Sequence, residues 1–300
     1  MKISLTVALD LTIHPPTAKT LTYTGSAQAL VTAGSTNGGK LVYSLEQNGT
    51  YGETIPMATN AGSYTVYYKV NGDNNYNDVS AKSVTVTIAK AKVAKPVIDD
   101  NSFEYNGKEQ GIAIAESDAY TVSGTTSATA VGEYSATVTL NANYTWSDGS
   151  ETVETYSWSI TAGTAVVTTE EELKAALADD GYSTIKLGAD IAITAIYSDT
   201  DESLIPSVFI DRDVNIDLNG KTISVAYDGE NVYVNIIGIF CVDGANVIIN
   251  GNGGTITAEA GNNNSYGINI IKGGSVTVNG GNYYGAITAI QVTNLSLIHI

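Results

Sequence analysis

One phrase recurs three times in the second half of the chain. VNIDLNGKTIS (214–224) returns as VIINGNGGTIT (247–257) and, shortened, as VTVNGGNYYG (276–285). Apolar residues alternate within each copy, the period of a strand with one buried face. The Asn and Gly punctuation predicts a corner after each strand, because those residues enter left-handed backbone at least cost. GIFCVDGANVIING (238–251) also superposes on GINIIKGGSVTVNG (267–280) at a constant offset of 29 residues. Strand, turn, strand and corner at such a period predict a parallel β-solenoid. A single coil cannot bury its inner face, and the coils above and below supply its backbone and side-chain partners. Asn219, Gly220, Asn250, Gly251, Asn279 and Gly280 are then structural corner residues.

Ahead of the coils, TTEEELKAALADDGYS (168–183) reads as a short amphipathic helix. Thr169 is placed to cap it, Glu172 stands three residues on, and Leu173, Ala176 and Leu177 share one face. STIKLGADIAIT (183–194) follows as an alternating strand pair broken at Gly188.

The first half is a duplication. YTGSAQAL (23–30) is answered by YNGKEQGI (105–112), AGSYTV (61–66) by VGEYSA (131–136), NNYND (74–78) by ANYTWSD (142–148), and VTVTIAK (84–90) by YSWSITA (156–162). Short alternating runs such as SYTVYYKV, separated by Gly, Asn and Asp clusters, predict sandwich strands. Gly62 with Tyr64, and Gly132 with Tyr134, set a tyrosine two residues after a glycine at a strand entrance. That spacing suits a tyrosine corner, in which the ring packs and the hydroxyl bonds nearby backbone.

LTYTGSAQALVTAG, IPMATNAGSYTVYYKVNGDNNYND and VTVTIAKA resemble the MBG-type bacterial immunoglobulin-like repeats found in tandem on large surface proteins. The second copy keeps Gly-x-Tyr and the closing strand but carries NYTWSDG in place of NYND, and is a divergent relative. The helix followed by TIKLGADI and IDLNGKTI resembles the start of right-handed β-helix domains of the pectate-lyase type in bacterial surface proteins. These resemblances and the periods imply an all-β chain: two immunoglobulin-like β-sandwiches followed by the capped start of a right-handed parallel β-helix. The expected segments are 1–13, the last strand of a preceding repeat; 14–92, the MBG-type domain; 93–163, the divergent sandwich; 164–294, the helix cap and first coils; and 295–300. The last six residues, LSLIHI, resemble a translated sequencing adapter, which implies a non-native tail.

Composition narrows the function. With 31 acidic against 14 basic residues and a net charge of -17, the chain repels phosphate backbones and anionic headgroups, so nucleic acid is not an expected partner. No apolar run reaches the ~18 residues of a membrane span, and no signal peptide is read at the start. Arg212 is the single arginine, and the two histidines, His14 and His299, sit at opposite ends, which leaves little for a base titrating near neutrality. Cys241 is alone, in the run IIGIFCV, and reads as a small buried hydrophobe.

Pectate-lyase relatives use basic residues as base and oxyanion partner and acidic residues for calcium, so the resemblance makes Asp211, Arg212, Asp213 and Asp217 the residues to weigh. Solvated strand faces and a corner cap are the favoured alternative, since no Asn-Thr-Asp, Asp-Asp or Gly-His-Gly signature of hydrolase relatives is present. The loop NGDNNYND (71–78) offers Asp73 and Asp78 as weak calcium ligands against a plain hairpin loop, without the spacing of an EF-hand. Tyrosines in NVYV, NSYG and NYYG (231–234, 264–267, 282–285) either pack the sheets or line a sugar-binding flank. The expected function is structural and adhesive, on an extracellular bacterial surface, with no cofactor and with host or environmental glycans or proteins as partners. The alternative is a polysaccharide-cleaving β-helix enzyme whose catalytic coils lie beyond this sequence.

Overall fold

The computed structural model describes residues 10–194, 196–198, 203–205, 208–226, 240–258, 266–285, 288–292 and 297–299. The strand expected at the extreme N-terminus lies outside them. Strands dominate, and one helix is present among the described residues. Contacts divide the chain into two compact units: residues up to 99 with 113–126 and 135–156, and residues 100–112 and 127–134 with everything from 157 onward.

The first unit contains a four-stranded sheet in the order Leu21–Thr22, Val79–Ala89, Gly62–Asn71, Lys40–Ser44. Gly62–Asn71 alternates as its sequence requires: Val66, Tyr68 and Val70 are buried, and the residues between them are not. Val66 and Tyr68 pack on Leu30, Val31, Tyr43, Val86 and Ile88. Short antiparallel pairs, Thr17–Ala18 with Val31–Thr32 and Gln28–Ala29 with Met57–Ala58, complete the sandwich. Further along, Tyr120–Gly124 runs antiparallel to residues 136–140, and Tyr144–Trp146 runs parallel to Ala91–Val93. Trp146 is fully buried among Ala119, Tyr120 and Val138, and its indole N–H donates to the Thr152 carbonyl (2.8 Å).

In the second unit, Ser102–Glu104 pairs in parallel with residues 159–161, and Gln110–Gly111 pairs antiparallel with Ser127–Ala128. The chain then enters the solenoid through Gly163–Val167 and α1, Glu170–Leu177. Thr169 caps α1 by accepting from the Glu172 N–H (3.2 Å). The returning Glu172 carboxylate reaches one residue further than a capping box would, to the Thr168 N–H (2.7 Å) and hydroxyl (2.8 Å). Leu173, Ala176 and Leu177 are buried against the first coil.

The coils build three parallel sheets. The first runs through Gly163–Val167, Tyr182–Leu187, Val214–Asp217, Asn246–Asn250, Ser275–Asn279 and Leu297–His299. The second runs through Ile191–Thr194, Thr222–Ala226, Thr255–Ala258 and Asn282–Gly285, and the third through Val208–Ile210, Phe240–Asp243, Tyr266–Ile271 and Thr288–Val292. Inward residues form columns: Ile185, Ile216, Ile249 and Val278 on the first sheet, and Val208, Phe240, Ile268 and Ile290 on the third. Most are fully buried, and each aliphatic side chain so placed contributes about 1.5–3 kcal/mol.

Two readings of the corners change. The offset of 29 holds on the first sheet, where Val247 meets Val276, but is 28 on the third, where Phe240 meets Ile268. Keeping 29 there would put Asn269 in place of Ile268 in the Phe240 column, since a one-residue slip exchanges the faces of a strand. Left-handed backbone falls at Asn219 and Gly220, then at Asn252 and Gly253 rather than at Asn250 and Gly251, then at Gly280 and Gly281. Asn250 instead ends its strand opposite Asp217, and Asn279 ends the next opposite Asn250.

Candidate functional site

Asp211, Arg212 and Asp213 occupy the corner leading from the third sheet back to the first, Asp217 ends the strand that follows, and the arginine is already engaged. Arg212 turns toward the C-terminal end of α1. Its Nε donates to the Leu177 carbonyl (2.7 Å), one terminal nitrogen to that of Ala176 (2.9 Å) and the other to that of Tyr182 (2.7 Å). A helix C-terminus leaves carbonyls without intrahelical partners and carries partial negative charge, so a planar cation with several donors suits it. Residues 211–213 form a corner rather than the alternating strand their pattern suggests, because strand begins at Val214. Asp211 is exposed there.

The acidic residues stitch coils together. Asp213 accepts from the backbone (2.7 Å) and side-chain N–H groups of Asn246, where the next coil's strand starts. Asp190 does the same for the Thr222 N–H (2.8 Å). Asp217 Oδ1 accepts from the Asn219 N–H (2.9 Å) and the Asn252 amide (2.7 Å), while Oδ2 faces the Lys186 ammonium at 3.7 Å. The asparagines continue the stitching: Asn279 donates to the Asn250 side-chain oxygen (2.9 Å), and Asn219 to the Leu187 carbonyl (3.0 Å). A Cβ on Gly251 would fall 2.2 Å from the Gly280 carbonyl oxygen. Glycine is needed there for close approach of two coils, not for its φ.

Of the tyrosines in the coils, Tyr283 is an inward residue that takes the place of Ile256 one coil below. Its hydroxyl donates to the Gly280 carbonyl (2.9 Å), and burial pushes its pKa up to about 12. Tyr284 points outward and is half-exposed. Tyr233 lies outside the described residues, as do the side chains of Tyr266 and Cys241.

In the sandwich segments, the Tyr64 hydroxyl donates to the Asn60 carbonyl (2.7 Å), and the Tyr134 hydroxyl to the Ala130 carbonyl (2.7 Å). Gly62 and Gly132 lie beneath these hydroxyls, and the Tyr134 ring stacks on Trp158 with centroids 4.6 Å apart. The carboxylates of the 71–78 loop close turns. Asp73 accepts from Asn75 (2.8 Å), Tyr76 (3.1 Å) and Gly39 (3.2 Å), and Asp78 accepts from Gly72 (2.7 Å), all backbone N–H groups. The bonds from Asn75 and Gly39 hold the Asp73 carboxyl below its ordinary pKa. Among the described residues no group of three or more His, Cys, Asp or Glu gathers where a metal ion could be held.

A junction that the motifs did not single out joins residues 100–112 to the first coil. The Tyr105 hydroxyl donates to the Asp179 carboxylate (2.9 and 3.0 Å), which raises the phenol's pKa. Its ring lies edge-on to Tyr182, centroids 5.0 Å apart. A Cβ on Gly181 would fall 2.2 Å from that ring, and one on Gly163 would fall 2.0 Å from the Tyr105 carbonyl oxygen. Tyr23, the counterpart of Tyr105 in the first copy, lies edge-on to Tyr144 at 5.4 Å. The duplication carried this signal, since the two tyrosines open the matched segments YTG and YNG.

The arrangement thus spends its arginine and most of its corner carboxylates on coil-to-coil and helix-to-coil bonds, which suits a scaffold that presents its outer faces. Comparison with curated proteins and with solved structures gives no match. Residues 164–298 match the model of one family, described as "Putative pectate lyase-like adhesive domain", and an adhesive or structural role fits that match.

Proposed function

We propose that this chain is part of a secreted bacterial surface protein in which MBG-type sandwich repeats form a stalk and the β-helix is the module presented for binding. The observation that carries this reading is the Tyr105 junction. A hydroxyl–carboxylate bond, an edge-on tyrosine pair and two glycines without room for a side chain hold 100–112 against the first coil. A stalk works by fixing the position of what it carries, and such a joint resists bending where a polar linker would not. The adhesive family match at 164–298 supports an adhesive role for this module.

The test is incubation of the full chain with immobilised and soluble pectin, alginate and mucin glycans. Retention without release of reducing ends or unsaturated products is the expected result. Turnover that Asp217→Ala abolishes would establish a polysaccharide-cleaving enzyme instead.

A further inference from the structure

A groove of about 440 Å³ lies on the first sandwich, lined by residues between Gln47 and Ala81, and its volume falls within the ~300–1,000 Å³ usual for small-molecule sites. Its floor is made by an irregularity in the sheet. Val79 pairs with Val70 and Lys82 with Tyr68, so Ser80 and Ala81 together oppose Lys69 alone. Such a β-bulge breaks the ladder and re-aims the side chains beside it, and bulges concentrate next to binding sites. One wall comes from the segment carrying Gln47 and Tyr51. The Tyr51 hydroxyl donates to the Gln47 carbonyl (2.8 Å), and the Lys69 ammonium sits over the Tyr51 ring, 4.6 Å from its centroid. Lys69 makes no ion pair among the described residues, so its charge is held by the ring face rather than neutralised by a carboxylate.

We propose that this groove binds a neutral saccharide, one or two sugar residues at a time. The lining carries one ammonium, Lys69, and one carboxylate, Asp78, so it selects for neither sign of charge. Asp78 uses one oxygen to accept from the Gly72 N–H (2.7 Å), and its other oxygen is an acceptor for a ligand. Gln47 and Asn71 amides each offer a donor and an acceptor, and the Ser80 hydroxyl offers both. A ligand of many hydroxyls, each both donor and acceptor, matches this mixture. A phosphate or polycarboxylate would leave Asp78 facing like charge. This site is separate from the β-helix and adds to the role proposed above without depending on it.

The test is a titration of the full chain with maltose, cellobiose and lactose, and with digalacturonate as the charged counterpart, followed by backbone amide chemical shifts. At least one neutral disaccharide should give saturable shifts at 69–71 and 79–81, with a dissociation constant of about 1–10 mM, as befits an open polar groove. Tyr51→Ala and Asn71→Ala should each weaken that binding at least about fivefold. Both positions lie at the surface of the sandwich, and unchanged amide shifts elsewhere will verify the fold. Absence of shifts with every neutral sugar, shifts confined to other regions, tighter binding of digalacturonate, or variants that bind as well as the parent would each overturn the proposal.

Discussion

Arg212 is the residue whose role differs most from what its neighbours in sequence suggest. Three aspartates around one arginine look like a charge cluster with chemistry in view, yet the guanidinium closes a helix formed some 35 residues earlier. No local pattern announces such a bond, because the partners meet only when the first coil is complete. Arg212→Met should lower the unfolding free energy in urea by about 2 kcal/mol, the usual scale for charged hydrogen bonds to backbone. Arg212→Lys should recover only part, since a point ammonium cannot reach three carbonyls. Tyr283 gives a second prediction. Burial favours its neutral form and raises its pKa from 10.0 to about 12. The unfolded chain therefore ionises first, and the stability this group lends is intact below pH ~10 and lost as pH rises toward 12. Unfolding measured across that window should show a smaller alkaline loss in Tyr283→Phe than in the parent.

Among elements, the corner between the first and second sheets tests why Asn and Gly recur. Gly251 faces the backbone of Gly280 and Gly281, whereas Gly253 has open space around it and φ of +79°. Gly251→Ala should push two coils apart and cost about 3 kcal/mol, the upper part of the range for overpacking. Gly253→Ala should cost about 1 kcal/mol of left-handed strain. Thermal unfolding of the two variants should rank them in that order. The strands themselves were legible: 214–224 aligns with 247–257 residue for residue in the parallel pairing, because inward Ile and Val cannot slip without turning outward. The corners were legible only in kind. Four residues link the first and second sheets at 218–221 and 251–254, but two do so at 280–281, and identical letters therefore do different work in successive coils. Thr169 was readable as a cap because capping needs only local spacing, while the one-residue shift in the reach of Glu172 was not.

At the scale of the whole molecule, one tyrosine position serves twice, Tyr23 against Tyr144 and Tyr105 against Tyr182. The duplication was visible in sequence, but the partners of those tyrosines belong to other segments and have no shared motif. Tyr105→Ala should separate the calorimetric unfolding of the second unit into two steps, where the parent shows a single transition. The coils carry a further consequence through their uneven lengths. Between the second and third sheets, 13 residues separate Ile191–Thr194 from Val208–Ile210, 13 separate Thr222–Ala226 from Phe240–Asp243, seven separate Thr255–Ala258 from Tyr266–Ile271, and two separate Asn282–Gly285 from Thr288–Val292. The columns stay in register throughout, so this corner absorbs far larger changes of length than the others, which vary by two residues at most. Doubling a surface loop costs only about 0.6 kcal/mol in closure entropy. A foreign epitope grafted between Gly285 and Thr288 should therefore leave the melting temperature almost unchanged, whereas the same graft between Asn279 and Asn282 should dismantle the stack. The solenoid is in this sense a rack with one adjustable side, on which new surface can be hung coil by coil without rewriting the core.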